Sequence, residues 1–187
     1  MESTTEINPY QAPVAELLSE RFAPEDIQHY KAYVGKKSTY YIKHWFKLRQ
    51  GINAESGFNF AALFYGPLWF LYRKMYLHFA AICLILVAEG MIEHYVFKIS
   101  PFSLNTILSV SNVFGLCLSF SCAYYANRWY FHHVTRKIRA VRSNEFEAKF
   151  VSKKLKRTGG TDFLSPLSFV VALTLMIYAA ITLQFVS

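Results

Sequence analysis

The stretch GFNFAALFYGPLWFLYRKMY, residues 57–76, decides how this chain meets a membrane. Residues 58–72 are apolar and aromatic, and the run stops at Arg73-Lys74. An α-helix rises about 1.5 Å per residue and a bilayer's hydrocarbon core is about 30 Å thick, so this segment is too short to cross. Gly66-Pro67 also interrupts it. Three other runs, 76–97, 102–126 and 163–186, are long enough. Residues 102–126 contain no Asp, Glu, Lys, Arg or His, whereas a soluble helix of that length shows a charged face at every turn. The whole chain has 187 residues, of which 53% are hydrophobic and 18% aromatic. The fold class is therefore an all-α, polytopic helical membrane protein with three spans.

Charge decides what the short segment does. Residues 1–57 carry Arg21, Lys31, Lys36, Lys37, Lys43, Lys47 and Arg49, and residues 127–162 carry ten further cations. Lys98 stands alone in the turn at 98–101. If 58–72 crosses the membrane, the two sides hold eight and twelve Lys/Arg; if it does not, they hold nineteen and one. Cytoplasmic loops collect Lys and Arg, so the second split is expected. The segment 58–72 is then a re-entrant or interfacial helix broken at Gly66-Pro67, with the N-terminus cytoplasmic and the C-terminus outside.

Around that core, residues 1–24 read as a flexible tail, with a short amphipathic helix possible at 14–22. Residues 25–57 read as a cytoplasmic helical hairpin. Ile27, Tyr30 and Val34 line one helix that stops at Gly35, and Tyr41, Trp45 and Leu48 line the next. Residues 58–187 form the membrane domain, including basic cytoplasmic helices at 127–162. Val134, Ile138 and Val141 continue the second span as a stripe. Asn144 and Glu147 resemble a capping box that starts a new helix, which ends at Gly159-Gly160. The first 25 residues lack an apolar leader core, so the spans are expected to direct insertion.

The residues also resemble a family. FNFAALFYGPLWFLYRKMY is similar to the signature of the bacterial membrane-protein family Domain of Unknown Function 2628, which has F-N-W-A-A-F, then G-P-x-W, then Y-R-K-M-Y. Asn59, Ala61, Ala62, Phe64, Gly66, Pro67, Trp69, Tyr72, Arg73, Lys74, Met75 and Tyr76 fit it, with Phe60 where Trp is usual. YVGKKSTYYIKHW, WYFHHVTRKI and GGTD look like further family segments, with Asp162 in place of Ser. The resemblance covers roughly residues 27–162. It implies a bacterial inner-membrane protein without an established activity.

Candidate sites are few. No nucleophile–base, Walker or H-E-x-x-H pattern is visible, so no catalytic residue, metal or cofactor is expected. Adjacent His132-His133 diverge by about 100° on a helix, which suits metal chelation poorly. Cys83, Cys117 and Cys122 lie in spans without C-x-x-C spacing and read as small hydrophobes. Glu89, Glu93 and His94 form the most suggestive polar cluster. It is either a wet outer end of the first span or a proton- or cation-binding pair facing other helices. Arg128, Arg136, Lys137, Arg139 and Arg142 are expected to meet anionic lipid headgroups. Trp69 and Trp129 suit an interfacial aromatic belt. Small residues such as Ser111, Gly115 and Ser119 would allow close helix packing. The expected partners are thus the anionic bilayer surface and a homo-oligomer or other membrane protein, with no nucleic acid. A non-enzymatic scaffold or partner-binding subunit is the first reading. A small oligomeric channel or transporter component using Glu89 and Glu93 is the second.

Overall fold

A computed structural model describes residues 24–49, 57–99, 103–144 and 148–186, and the regular elements among them are all helical. They are α1 (Pro24–Val34), a 3-10 turn (Gly35–Lys37), α2 (Ser38–Arg49), α3 (Phe60–Tyr65), α4 (Pro67–Tyr72), α5 (Tyr76–Ile99), α6 (Leu104–Asn144), α7 (Ala148–Thr158) and α8 (Leu164–Val186). Three of them, α5, α6 and α8, are long and apolar enough to cross a membrane, as the sequence predicts. The expectations for residues 14–22, for the Leu48 side chain and for a cap involving Glu147 fall outside the described residues.

Residues 58–72 make no continuous helix. They form α3 and α4, six residues each, joined at Gly66. Gly66 has φ +50° and ψ −127°, a conformation that side chains disfavour and glycine adopts freely. Pro67 then opens α4, where its missing N–H costs nothing. At the far end, Lys74 is left-handed (φ +59°). The Met75 amide donates to the Phe70 carbonyl at 2.8 Å and the Lys74 amide to Leu71 at 3.0 Å. This is a Schellman cap, and both apolar residues of its 6→1 pair, Met75 and Phe70, are fully buried. The Y-R-K-M-Y segment is thus a helix stop followed directly by the start of α5.

Contacts divide the chain into two units, each described by itself. The first contains α1, α2, the part of α6 from Val134 onward, and α7 as far as Gly160. Tyr30, Tyr33 and Val34 of α1, Tyr41, Ile42 and Trp45 of α2, Val134, Ile138 and Val141 of α6, and Val151 and Leu155 of α7 are buried. The stripes read from the sequence are therefore the buried faces. The Tyr30 ring meets Trp45 edge-on at 5.8 Å, and its hydroxyl lies 2.9 Å from Thr135 Oγ1. α7 packs along α1. Its end is fixed by the Gly160 amide donating to the Tyr33 carbonyl at 2.6 Å. The boundary between the two units falls within α6, between His133 and Val134. The apolar stripe of α6 past residue 133, together with Val151 and Leu155 of α7, is buried within this unit.

The second unit contains residues 57–133 and the chain from Thr161. α4 packs on both α5 and α8. The Asp162 amide donates to the Tyr72 carbonyl at 2.9 Å. Asp162 also starts α8, because its Oδ1 accepts from the amides of Leu164 (3.0 Å) and Ser165 (3.3 Å). The Ser165 hydroxyl donates to Oδ2 at 2.5 Å. These bonds, the Ser165 hydroxyl foremost, hold the Asp162 carboxyl below its ordinary pKa. A lowered folded-state pKa means the cap's contribution is present above the unfolded value of about 3.9 and is lost as pH falls through the folded one. We therefore expect wild type to exceed Asp162→Asn in thermal midpoint at neutral pH, with the gap closing on acidification below about pH 4. A gap independent of pH would show that the carboxylate charge is immaterial to the cap.

Candidate functional site

The signature segment assembles a polar joint in the second unit. Asn59 caps α3 by accepting from the Ala62 amide at 3.0 Å through Oδ1. Its Nδ2 donates to Asn127 Oδ1 at 2.9 Å, and its own amide donates to the Ala123 carbonyl at 3.0 Å. Asn127 completes the set by donating from Nδ2 to the Gly57 carbonyl at 2.7 Å. Asn59 is 6% exposed and Asn127 is fully buried. Buried amides are costly unless satisfied, and here each one is used in a single geometry.

One turn further along α6, Tyr130 receives the other end of the segment. Arg73 is 3% exposed, with its guanidinium 5.0 Å from the Tyr130 ring centroid and 5.6 Å from that of Tyr72. Its Nη1 also points to the Tyr130 hydroxyl at 3.5 Å. Arg73 is therefore an enclosed cation held against aromatic faces. Trp69 departs from its assignment to an aromatic belt. It is 4% exposed and lies edge-on to Tyr130 at 6.0 Å and to Phe70 at 5.0 Å. Gly66, Pro67, Tyr72 and Lys74 are half-buried in the same segment.

Glu89 and Glu93 meet away from this joint. The Ser111 hydroxyl of α6 contacts Glu89 Oε1, and it lies 3.3 Å from Glu93 Oε2. All three line a cavity of about 650 Å³ between α5 and α6, walled by Ile85, Ile92, Val110 and Phe114. A hydroxyl carries one proton, so it serves one carboxylate at a time. The group left over is rich in acceptors, which is the chemistry of a proton or small cation. His94 is exposed and does not join them.

The basic residues Arg128, Arg136, Lys137 and Arg139 are exposed along α6. Arg142 is exposed too but forms an ion pair with Asp26 of α1 at 2.9 Å, so part of its charge is spent inside the first unit. Trp129 is half-buried and stacks on Tyr125 at 5.6 Å. Cys122 is buried, Cys83 half-buried and Cys117 exposed.

Sequence reasoning missed Asn127, Tyr130 and the role of Ser111. Asn127 did carry a signal, as an uncharged amide directly following an apolar run. Ser111 was grouped with small packing residues because spacing alone does not separate a spacer from a hydrogen-bonding hydroxyl.

A family model described as "Protein of unknown function (DUF2628)" matches residues 25–136. No curated protein and no solved structure matches the chain.

Proposed function

The chain belongs to the DUF2628 family, and from that premise we propose that it is a non-enzymatic scaffold or partner-binding subunit. Its place is a bacterial inner membrane, with the N-terminus cytoplasmic. One observation carries this reading: the signature's polar side chains are turned inward. Asn59 and Arg73 are buried against Asn127 and Tyr130 of α6, so these two side chains are spent on a joint. A joint of this kind fixes how a chain is held. It leaves recognition to the exposed surface of the helical hairpin, where Tyr40 and Lys43 of α2 face outward.

The test is photo-cross-linking in growing bacteria from a benzoyl-phenylalanine at Tyr40. The expected result is a small, reproducible set of membrane-protein adducts, absent when the probe replaces buried Tyr33. Adducts with lipid alone would overturn the reading.

A further inference from the structure

We infer that α7 is a lipid-docking helix whose outward face binds the anionic headgroups of a membrane leaflet, with Phe150 inserted among them. α7, AKFVSKKLKRT, turns Val151 and Leu155 inward, and these are 3% and 0% exposed. The remaining arc carries Lys149, Lys153, Lys154, Lys156 and Arg157, all exposed, and the helix contains no acid. At 100° per residue these five cations lie on one side of the helix. Phe150 projects from within that arc and is 53% exposed. An aromatic ring set among cations suits the boundary between headgroups and acyl chains, where cations meet phosphates and the ring leaves water.

The chain supplies the position. Five residues, 159–163, connect α7 to α8, whose apolar run is long enough to cross a membrane. At about 3.5 Å per residue, the end of α7 is tethered within about 20 Å of the point where that run begins. A nucleic acid or an acidic protein would match the charge as well. Neither accounts for an exposed ring on a helix tethered this close to a bilayer.

The experiment places a nitroxide at Phe150→Cys in the full chain, with the native cysteines replaced by serine. The labelled chain is reconstituted into nanodiscs of phosphatidylcholine alone or enriched in phosphatidylglycerol. In the enriched discs the ratio of oxygen to nickel-chelate accessibility is expected to rise several-fold, and to fall back in high salt. A label at Tyr40→Cys on α2 should not respond. Combined Lys153→Gln, Lys154→Gln, Lys156→Gln and Arg157→Gln replacements, which leave Val151 and Leu155 in place, should abolish the lipid dependence without changing the circular dichroism. Equal nickel accessibility at position 150 in both lipids would overturn the proposal. So would protection that arises only when RNA or an acidic protein is added.

Discussion

Replacing Asn127 with Ala is expected to loosen the second unit markedly. The substitution removes two hydrogen bonds at once, from Asn59 Nδ2 at 2.9 Å and to the Gly57 carbonyl at 2.7 Å. It leaves both partner groups without the amide they meet at a position that is 0% exposed. A buried group stranded in this way costs about 1–3 kcal/mol, so the pair together should cost about 2–5 kcal/mol. Cys122 offers the readout, because it is 3% exposed and sits one residue before Ala123, whose carbonyl holds the Asn59 amide. With Cys83 and Cys117 changed to Ser, the reaction of Cys122 with a thiol-reactive dye in detergent should begin at a clearly lower temperature in Asn127→Ala than in wild type.

The double variant Asn59→Ala/Asn127→Ala separates the joint from simple cavity formation. Two residues in one hydrogen-bond pair should be non-additive by about 0.5–3 kcal/mol, with the double loss smaller than the sum of the singles. Additive losses would mean that the two amides stabilise independently. An unchanged midpoint in Asn127→Ala would remove the basis for reading the signature segment as a joint.

The architecture could be read from the sequence wherever it rests on periodicity or length. Three uncharged or nearly uncharged runs become α5, the first part of α6 and α8, because a membrane span is set by bilayer thickness and needs no tertiary detail. Gly35 and Gly66-Pro67 end and break helices where they stand, because those restrictions are local to the backbone. Burial of particular side chains was less legible. In the sequence Arg73 stands only as a cation that ends an apolar run; what encloses it is Tyr130, at a sequence separation of 57. Trp69 is misread because a tryptophan at the end of an apolar run looks the same whether it faces lipid or Tyr130. The pairing of Glu89 and Glu93 on one helix face follows from their i, i+4 spacing. Their meeting with Ser111 depends on the register of α5 against α6, which neither sequence run specifies alone.

The Gly159-Gly160 pair makes a sharper case, because its two glycines are needed for different reasons. Gly160 has φ +78° with open space around its missing Cβ, so its requirement is conformational. Gly159 is needed for proximity. A Cβ there would sit 2.2 Å from the Tyr33 carbonyl oxygen and 2.8 Å from that residue's carbonyl carbon and Cα. These are backbone atoms, so no rotamer relieves the clash, and the end of α7 must lift away from the end of α1. The Gly160–Tyr33 hydrogen bond at 2.6 Å would go with it, and the burial of Val151 and Leu155 would weaken. Gly159→Ala should therefore destabilise the first unit by about 3 kcal/mol, at the upper end of overpacking costs. Gly160→Ala should cost about 1–2 kcal/mol, and Gly160→Asn less, because asparagine tolerates a left-handed backbone. Amide hydrogen exchange locates the effect. In Gly159→Ala, exchange along α7 should accelerate by roughly 100-fold, the equivalent of about 3 kcal/mol, while α5 keeps its wild-type protection. If both glycines respond equally to alanine, their shared role is backbone conformation and the close approach to Tyr33 contributes nothing. If Gly159→Ala alone opens α7, that approach is what fastens the basic helix to the hairpin.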